Sequence, residues 1–159
     1  MTISNSYRIG VGIILVNNKK KVFVGKRNDV SGNSWQMPQG GVIKGEELED
    51  AAYRELYEET GVKKAKIIFK SKKWFKYDIP KSVKKKLWKG RYRGQKQRWF
   101  LMKFNGDEKK DINLNLDKAE FCDWKWVDLK KLPYLIVAFK KKMYEKILKE
   151  FEYKIKEIN

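Results

Sequence analysis

Residues 40–62 read GGVIKGEELEDAAYRELYEETGV, and this stretch decides how the rest of the chain is organised. It opens as a glycine-rich loop and continues as a segment rich in carboxylates. It matches the pattern G-x5-E-x7-R-E-U-x-E-E-x-G-U, where U is apolar, through Gly40, Glu46, Arg54, Glu55, Leu56, Glu58, Glu59, Gly61 and Val62. The spacing predicts a helix from about Gly45 to Thr60, with Gly61 as a left-handed residue that ends it.

Three carboxylates of this segment are spaced to share one helix face. Glu55, Glu58 and Glu59 stand at i, i+3 and i+4, where like charges repel and cost stability. A hard divalent cation such as Mg²⁺ relieves that repulsion, because it takes oxygen ligands and is often shared with substrate phosphates. The alternative is a solvated acidic helix in which Arg54 only pairs with its neighbours. The pattern favours the metal site.

The complete pattern resembles the signature of the Nudix hydrolases. Stretches outside it resemble the bacterial branch that contains RNA pyrophosphohydrolases and dinucleoside polyphosphate hydrolases: YRIGVGIILVN, SWQMPQGG, KWFKYDIP, GQKQRWF, and EFCDWKWV followed by VAFKKKMY. Departures are a slightly long loop in NDVSGNSW and lysine at several positions that could hold arginine. They bear on substrate preference. The resemblance implies an α/β/α sandwich and a divalent cation, Mg²⁺ with Mn²⁺ as another candidate.

The resemblance also implies roles for residues outside the helix. Glu120 corresponds to a metal-associated general base, which fits the need for a carboxylate beyond the three metal-bound glutamates. The alternatives are a surface glutamate at a strand start, or a base at Asp117 or Asp123. The implied metal ligands are Gly40, Glu55, Glu58, Glu59 and Glu120, and Arg54 orients the helix carboxylates.

Substrate contacts follow from the same resemblance. The phosphate-facing groups are Arg8, Arg27, Ser34 and Gln39, of which the arginines offer a planar fork to phosphate. The nucleotide contacts are Tyr77, Val137, Phe139 and Lys140. Phe139 has an equal structural interpretation, since it also fits the apolar stripe of a final helix. Gln95 and the tryptophans Trp99, Trp124 and Trp126 are expected to be scaffold.

Periodicity predicts a single α+β domain over residues 1–159, with helices flanking a mixed sheet. The predicted strands are Tyr7–Val16, Lys21–Arg27, Lys66–Tyr77, Gln95–Phe104 and Phe121–Val127. Residues 81–94 are predicted to form a basic loop or lid, and residues 105–118 a polar loop. A turn at Asp128–Pro133 precedes a long helix from Leu135 to Ile158.

Composition narrows the class of protein. The 159 residues include one cysteine, Cys122, and no histidine, which excludes a disulfide framework and a cysteine–histidine zinc site. No apolar run reaches the length of a membrane span, and the start lacks a signal-peptide pattern, so we expect a cytoplasmic protein without membrane contact. We also expect a monomer. The net charge of +18 suits a polyanionic substrate, although 32 lysines against six arginines also fit a general compositional bias.

The sequence therefore predicts a Mg²⁺-dependent pyrophosphohydrolase that acts on the 5′-triphosphate end of RNA and leaves a 5′-monophosphate. The alternative substrate is a dinucleoside polyphosphate such as diadenosine tetraphosphate. A different class of function, a non-catalytic RNA-binding module on the same scaffold, is disfavoured by the intact set of carboxylates. DNA is not an expected partner. The sequence leaves open whether lysines 84–86 hold RNA.

Overall fold

A mixed sheet of eight strands lies between two helical layers in the described part of the chain. The computed structural model describes residues 6–28, 34–84 and 88–158. The strands are β1 Tyr7–Val16, β2 Val22–Arg27, β3 Trp35–Gln36, β4 Gln39–Gly41, β5 Ala65–Lys70, β6 Phe75–Asp78, β7 Gly94–Phe104 and β8 Phe121–Val127. The helices are α1 Leu48–Thr60, α2 Lys81–Lys84, α3 Glu108–Asp111, α4 Leu132–Leu135 and α5 Lys141–Lys156.

The long strands β1 and β7 form the centre of the sheet. They run parallel, from the pair Tyr7–Gly94 to the pair Val16–Lys103. Strand β4 pairs antiparallel with the first half of β1, and β2 pairs antiparallel with its end. On the far side of β7, β5 and β6 both pair antiparallel with it. The short β4 thereby brings residues 39–41 beside the start of β1.

Alternate residues of β1 are buried in two separate hydrophobic cores, one on each face of the sheet. In β1, Ile14 and Val16 join the core under α4 and α5, whereas Ile13 and Leu15 join the core under α1. This alternation is the period-2 pattern of a strand that is buried on both faces. The predicted sandwich of a mixed sheet flanked by helices is confirmed.

Three predicted segments differ from the structure. The strand predicted over Lys66–Tyr77 is two strands, because Ser71 is buried and exchanges hydrogen bonds with the Trp99 backbone through its N–H and hydroxyl. The polar loop over 105–118 contains α3, which begins where the Asp107 carboxylate accepts from the Lys109 and Lys110 N–H groups. The basic loop over 81–94 contains α2 and a 3-10 turn at Trp88–Gly90.

The long C-terminal helix is confirmed, but α5 begins at Lys141 and not at Leu135. Ile136 and Val137 are extended and separate α4 from a 3-10 turn at Ala138–Lys140 that leads directly into α5. Its buried stripe includes Met143, Ile147 and Phe151 as predicted. Within the described residues, no helix is long and apolar enough to span a membrane.

Candidate active site

Helix α1 carries the predicted carboxylates and is fixed at both ends. It begins at Leu48, three residues later than predicted, because Gly45 adopts a positive φ of 85° and holds residues 43–46 in a turn. It ends at Gly61, whose φ of 74° and N–H bond to the Tyr57 carbonyl form the predicted left-handed cap. Ala52 and Leu56 are buried against the sheet. The opposite face of the helix, with its glutamates, is therefore free to meet the loop before it.

Arg54 gathers three glutamates and the glycine loop. Its Nε and one NH2 hydrogen hold the Glu46 carboxylate at 2.8 and 2.9 Å, and its NH1 donates to Glu55 at 2.7 Å and Glu58 at 3.1 Å. The remaining NH2 hydrogen donates to the Gly41 carbonyl at 2.8 Å. All five donors of the guanidinium have an acceptor, and these hydrogen bonds raise the pKa of Arg54 above its ordinary value. The side chain fixes the loop and the helix in one arrangement.

Glu59 and Glu120 face each other across the gap between α1 and the start of β8. The Glu120 backbone N–H donates to the Glu59 carboxylate at 3.2 Å. Burial raises the pKa of Glu59 to about 8, and the negative charge of Glu120 adds to that shift. Burial also raises the pKa of Glu55, although Arg54 opposes it. The two helix carboxylates lie where a negative charge is costly without a cation.

The residues present fit a hard divalent cation. Several carboxylate oxygens converge from α1 and Glu120, and the Cβ that Gly40 lacks would otherwise lie 1.9 Å from the Glu55 carboxyl group. Glu58 is turned toward Arg54 and toward Lys118, whose Nζ lies 3.3 Å away. Within the described residues, no group of three or more Asp, Glu, His or Cys side chains is already arranged as the ligands of a metal ion. The donor chemistry is that of Mg²⁺ or Mn²⁺ sites.

A cleft of about 240 Å³ joins these carboxylates to the predicted substrate contacts. Ten predicted site residues line it: Arg8, Arg27, Gln39, Gly40, Glu55, Glu59, Tyr77, Glu120, Phe139 and Lys140. They come from β1, β2, β4, α1, β6, the residue before β8 and the turn before α5, so only the folded chain brings them together. Arg54 and Glu58 line an adjoining cleft on the outer side of α1, which shares Arg8, Glu55, Glu59 and Glu120.

The end of the cleft away from α1 is aromatic and cationic. The rings of Tyr77 and Phe139 have centroids 5.8 Å apart, and the Lys140 ammonium lies 4.9 Å from the centroid of Tyr77. Tyr77 is 7% exposed, and burial raises its pKa to about 12. The two rings are in contact, and Phe139 is the more exposed of the two. Phe139 thus both packs against the core and lines the cleft, as its two sequence interpretations suggested.

A ladder of buried amides supports the floor of the cleft. Gln97 donates from Nε2 to Gln39 and to Gln95, both at 2.9 Å, and accepts from the Trp99 indole at 3.2 Å. Gln95, which the sequence assigned to the scaffold, takes part in this ladder and also lines the cleft. Trp99 and Trp124 are packed in the interior or against Phe23, in keeping with a scaffold role.

Two predicted substrate contacts lie outside this cleft, and two residues were not predicted for the site: Trp88 in this cleft and Lys118 in the adjoining one. Ser34 directly precedes β3 and Val137 packs against the core under α5, and neither lines the cleft. Trp88 lines it, with the Arg8 guanidinium 5.1 Å from its ring centroid. Lys118 reaches Glu58 from a segment predicted as loop. Trp88 could have been found as the aromatic residue within a basic run, whereas nothing in the sequence marks Lys118. Residues 85–87 and the side chain of Lys84 lie outside the described part of the chain.

Comparison with known proteins agrees with this geometry. A family model described as "NUDIX domain" matches residues 6–147. RNA pyrophosphohydrolases of Rickettsia prowazekii and Rickettsia bellii are each 49% identical to the chain over 146 residues, covering 92% of it and 90% of the relative. Among solved structures, an E. coli dihydroneopterin triphosphate pyrophosphohydrolase shares the fold with a TM-score of 0.68 at 19% identity, covering 89% of this chain and 97% of that one. A C. elegans Ap4A hydrolase shares the fold with a TM-score of 0.65 at 19% identity, covering 92% of this chain and 98% of that one.

Proposed function

The chain belongs to the Nudix hydrolase family, and from that premise we propose that its substrate is the 5′-triphosphate end of RNA. It cleaves a phosphoanhydride bond and leaves a 5′-monophosphate. The observation that carries the choice of substrate is the likeness, over nearly the entire chain, to two RNA pyrophosphohydrolases. The cleft supports it, because carboxylates line one end and an aromatic, cationic pair lines the other.

The cationic side chains of the cleft would bind the polyphosphate. Arg8 and Arg27 enter from β1 and β2 and present guanidinium groups suited to bidentate phosphate contacts. Lys140 adds a buried positive charge beside the rings of Tyr77 and Phe139. The first base would stack on Phe139, whose face accepts any base, so that recognition depends on the phosphates more than on base identity.

The carboxylates would organise the reaction. We assign the divalent cation to Glu55, Glu58, Glu59 and Glu120, with Gly40 packed against Glu55 and proposed as a further ligand. When bound there, Mg²⁺ supplies charge neutralisation at the phosphate oxygens and lowers the pKa of water. Arg54 holds Glu55 and Glu58 in position through its hydrogen bonds. Glu120, which is exposed at the mouth of the cleft, accepts the proton of the attacking water.

A dinucleoside polyphosphate such as diadenosine tetraphosphate is the second candidate substrate. The cleft is compatible with a dinucleoside polyphosphate, because one stacking ring and several cations would bind one nucleoside and its phosphates. These contacts do not depend on what is attached to the far end of the phosphates. The two substrates are compared in one Mg²⁺-dependent turnover assay. It sets a short 5′-triphosphate RNA against diadenosine tetraphosphate, each at several concentrations.

We expect a higher kcat/KM on RNA, and a higher value on the dinucleotide would contradict the proposal. The blank is Glu58→Gln, which should abolish turnover while the fold and RNA binding persist. Turnover that survives both Glu58→Gln and Glu59→Gln would show that the metal assignment is wrong. It would also reopen the possibility of a scaffold that binds RNA without hydrolysing it.

A further inference from the structure

Part of the sheet face that packs against α1 extends beyond that helix and carries an unusual set of side chains. Beyond the core under α1, β7 continues with Lys96 and Arg98 on the same side as the buried Phe100 and Met102. Lys76 of β6 pairs in register with Lys96, and Ile9 of β1 is 42% exposed beside it. We call this surface the basic aromatic face, formed by Tyr7, Trp74, Lys76, Arg93, Lys96 and Arg98.

Its two rings are each flanked by two cations. The Lys76 ammonium and the Arg93 guanidinium lie 5.2 and 5.6 Å from the centroid of Tyr7. The Lys96 ammonium and the Arg98 guanidinium lie 5.2 and 5.3 Å from the centroid of Trp74. Both of these doubly flanked rings lie on this face. Tyr7 and Trp74 are half-buried, so each keeps accessible ring surface.

Part of the face is held rigid by the fold. Arg98 donates from Nε and NH2 to the Ser71 carbonyl at 3.0 and 2.8 Å. Asp78 accepts from the Tyr7 hydroxyl at 2.6 Å and from Arg93 at 2.8 Å. These contacts explain part of the arrangement structurally. The face still has four cationic side chains and, among these contacts, one carboxylate, that of Asp78. The contacts also do not explain why Lys76 and Lys96, which carry like charges, are neighbours.

The face is continuous with the active-site cleft around the start of β1. Arg8 lines the cleft, and the adjacent Tyr7 opens the face, because neighbouring strand residues point to opposite sides of the sheet. The segment 88–93 bridges the two sides. Trp88 touches Arg8, its ring stands 5.9 Å from that of Tyr92, and the Arg93 N–H donates to the Ser6 carbonyl. Cations and rings therefore line the surface between the cleft and Trp74.

We propose that the basic aromatic face binds the single-stranded RNA that follows the 5′ nucleotide. Proteins that hold single strands combine cations that track phosphates with aromatic side chains on which bases stack, and this face offers both. The inference rests on the proposed function, since it extends the substrate site of the same reaction. Its charge suits a polyanion and does not suit an apolar partner.

Direct binding tests the inference without turnover. The probes are 5′-monophosphorylated RNAs of two and twelve nucleotides with a 3′ fluorophore, titrated by anisotropy at several salt concentrations. The variant Lys76→Gln/Lys96→Gln removes two charges from the face. Its matched control, Lys130→Gln/Lys131→Gln, removes two exposed charges from the turn between β8 and α4. Trp74→Leu removes a ring, and thermal melts check that each variant is folded.

We expect the face variant to weaken binding of the twelve-nucleotide RNA and to lower the slope of log K against log salt by about 1.4, roughly 0.7 for each phosphate that is no longer neutralised. Trp74→Leu should weaken the same binding roughly fivefold or more. The two-nucleotide RNA should bind all variants as it binds the unmodified protein. If the leucine variant does not fold, the lysine pair decides alone.

The inference would be overturned if the face variant and its control had equal slopes of log K against log salt. It would also be overturned if the face variant lost the same affinity for both RNA lengths, or if the unmodified protein bound twelve nucleotides no more tightly than two. Because the probes carry the product's monophosphate end, this outcome is independent of the turnover assay. Failure to hydrolyse triphosphate RNA would contradict the proposed function and leave the binding result to stand on its own.

Discussion

A Cβ on Gly40 would lie 1.9 Å from the carboxyl carbon of Glu55. The loop and the helix approach so closely that only glycine leaves room for this glutamate in its observed position. The first fixed glycine of the pattern is thus explained by a contact between two elements, and the same contact brings the Gly40 backbone beside the carboxylates.

The variant Gly40→Ala should lower kcat/KM by roughly 10²-fold, because the methyl group displaces Glu55 by an ångström or more. Steady-state kinetics on a short triphosphate RNA gives the value, and a thermal melt shows whether the protein remains folded. The control is Gly45→Asn, since Gly45 has a positive φ that asparagine tolerates and open space around its Cβ position. An equal loss of kcat/KM in both variants would mean that the conformation of the loop, and not the contact with Glu55, determines activity.

The variant Arg54→Lys should lower the free energy of unfolding by about 2 kcal/mol. Lysine has three donors in place of five and cannot hold Glu46 with a fork, so half-buried carboxylates lose partners. The expected loss is below the roughly 3–5 kcal/mol of a fully buried pair, because Arg54 is 25% exposed. Urea denaturation measures it. Lys70→Gln, which breaks an exposed pair with Glu49, should cost at most about 1 kcal/mol. A similar cost in the two variants would contradict the assigned role of Arg54.

Stability should fall in acid through Glu46. Hydrogen bonds from Arg54 hold the pKa of Glu46 below its ordinary value, and a bond from the Ile43 N–H adds to this. The stabilisation is therefore complete above the unfolded pKa of about 4.3 and is lost as the pH falls through the lower folded value. Urea midpoints measured between pH 6 and pH 3 should drop less steeply in Glu46→Gln than in the unmodified protein. Parallel curves would show that Glu46 is not the group responsible.

The variant Glu120→Gln should lower the turnover rate by roughly 10²–10⁴-fold, the range for loss of a general base. Glu120 is exposed, so the variant should fold normally. Rapid-mixing or steady-state assays under saturating Mg²⁺ give the rate. Asp123→Asn, an exposed carboxylate a few residues along the same segment, is the control and should retain full activity. A smaller effect at Glu120 would assign it to the scaffold, and a loss at Asp123 would move the base there.

Several features were predictable because they depend on residues close together in the chain. The spacing of Glu55, Glu58 and Glu59 placed them on one helix, and Gly61 marked its end. Other features were not predictable. Ser71 interrupts a strand only because the Trp99 backbone lies beside it, and α5 starts late because Ile136 and Val137 are extended. In the first case a contact between segments 28 residues apart overrode the local pattern.

The sequence by itself determined the family and the carboxylate helix, because both follow from the spacing of residues along one element. Tertiary structure alone decided which residues share the cleft. It joined Trp88 and Gln95 to the site, left Ser34 and Val137 outside the cleft, and paired Glu58 with Lys118. The physical reason is that side chains from separate strands and loops meet only after the two cores have packed. Their distances are set by that packing and not by their separation in the chain.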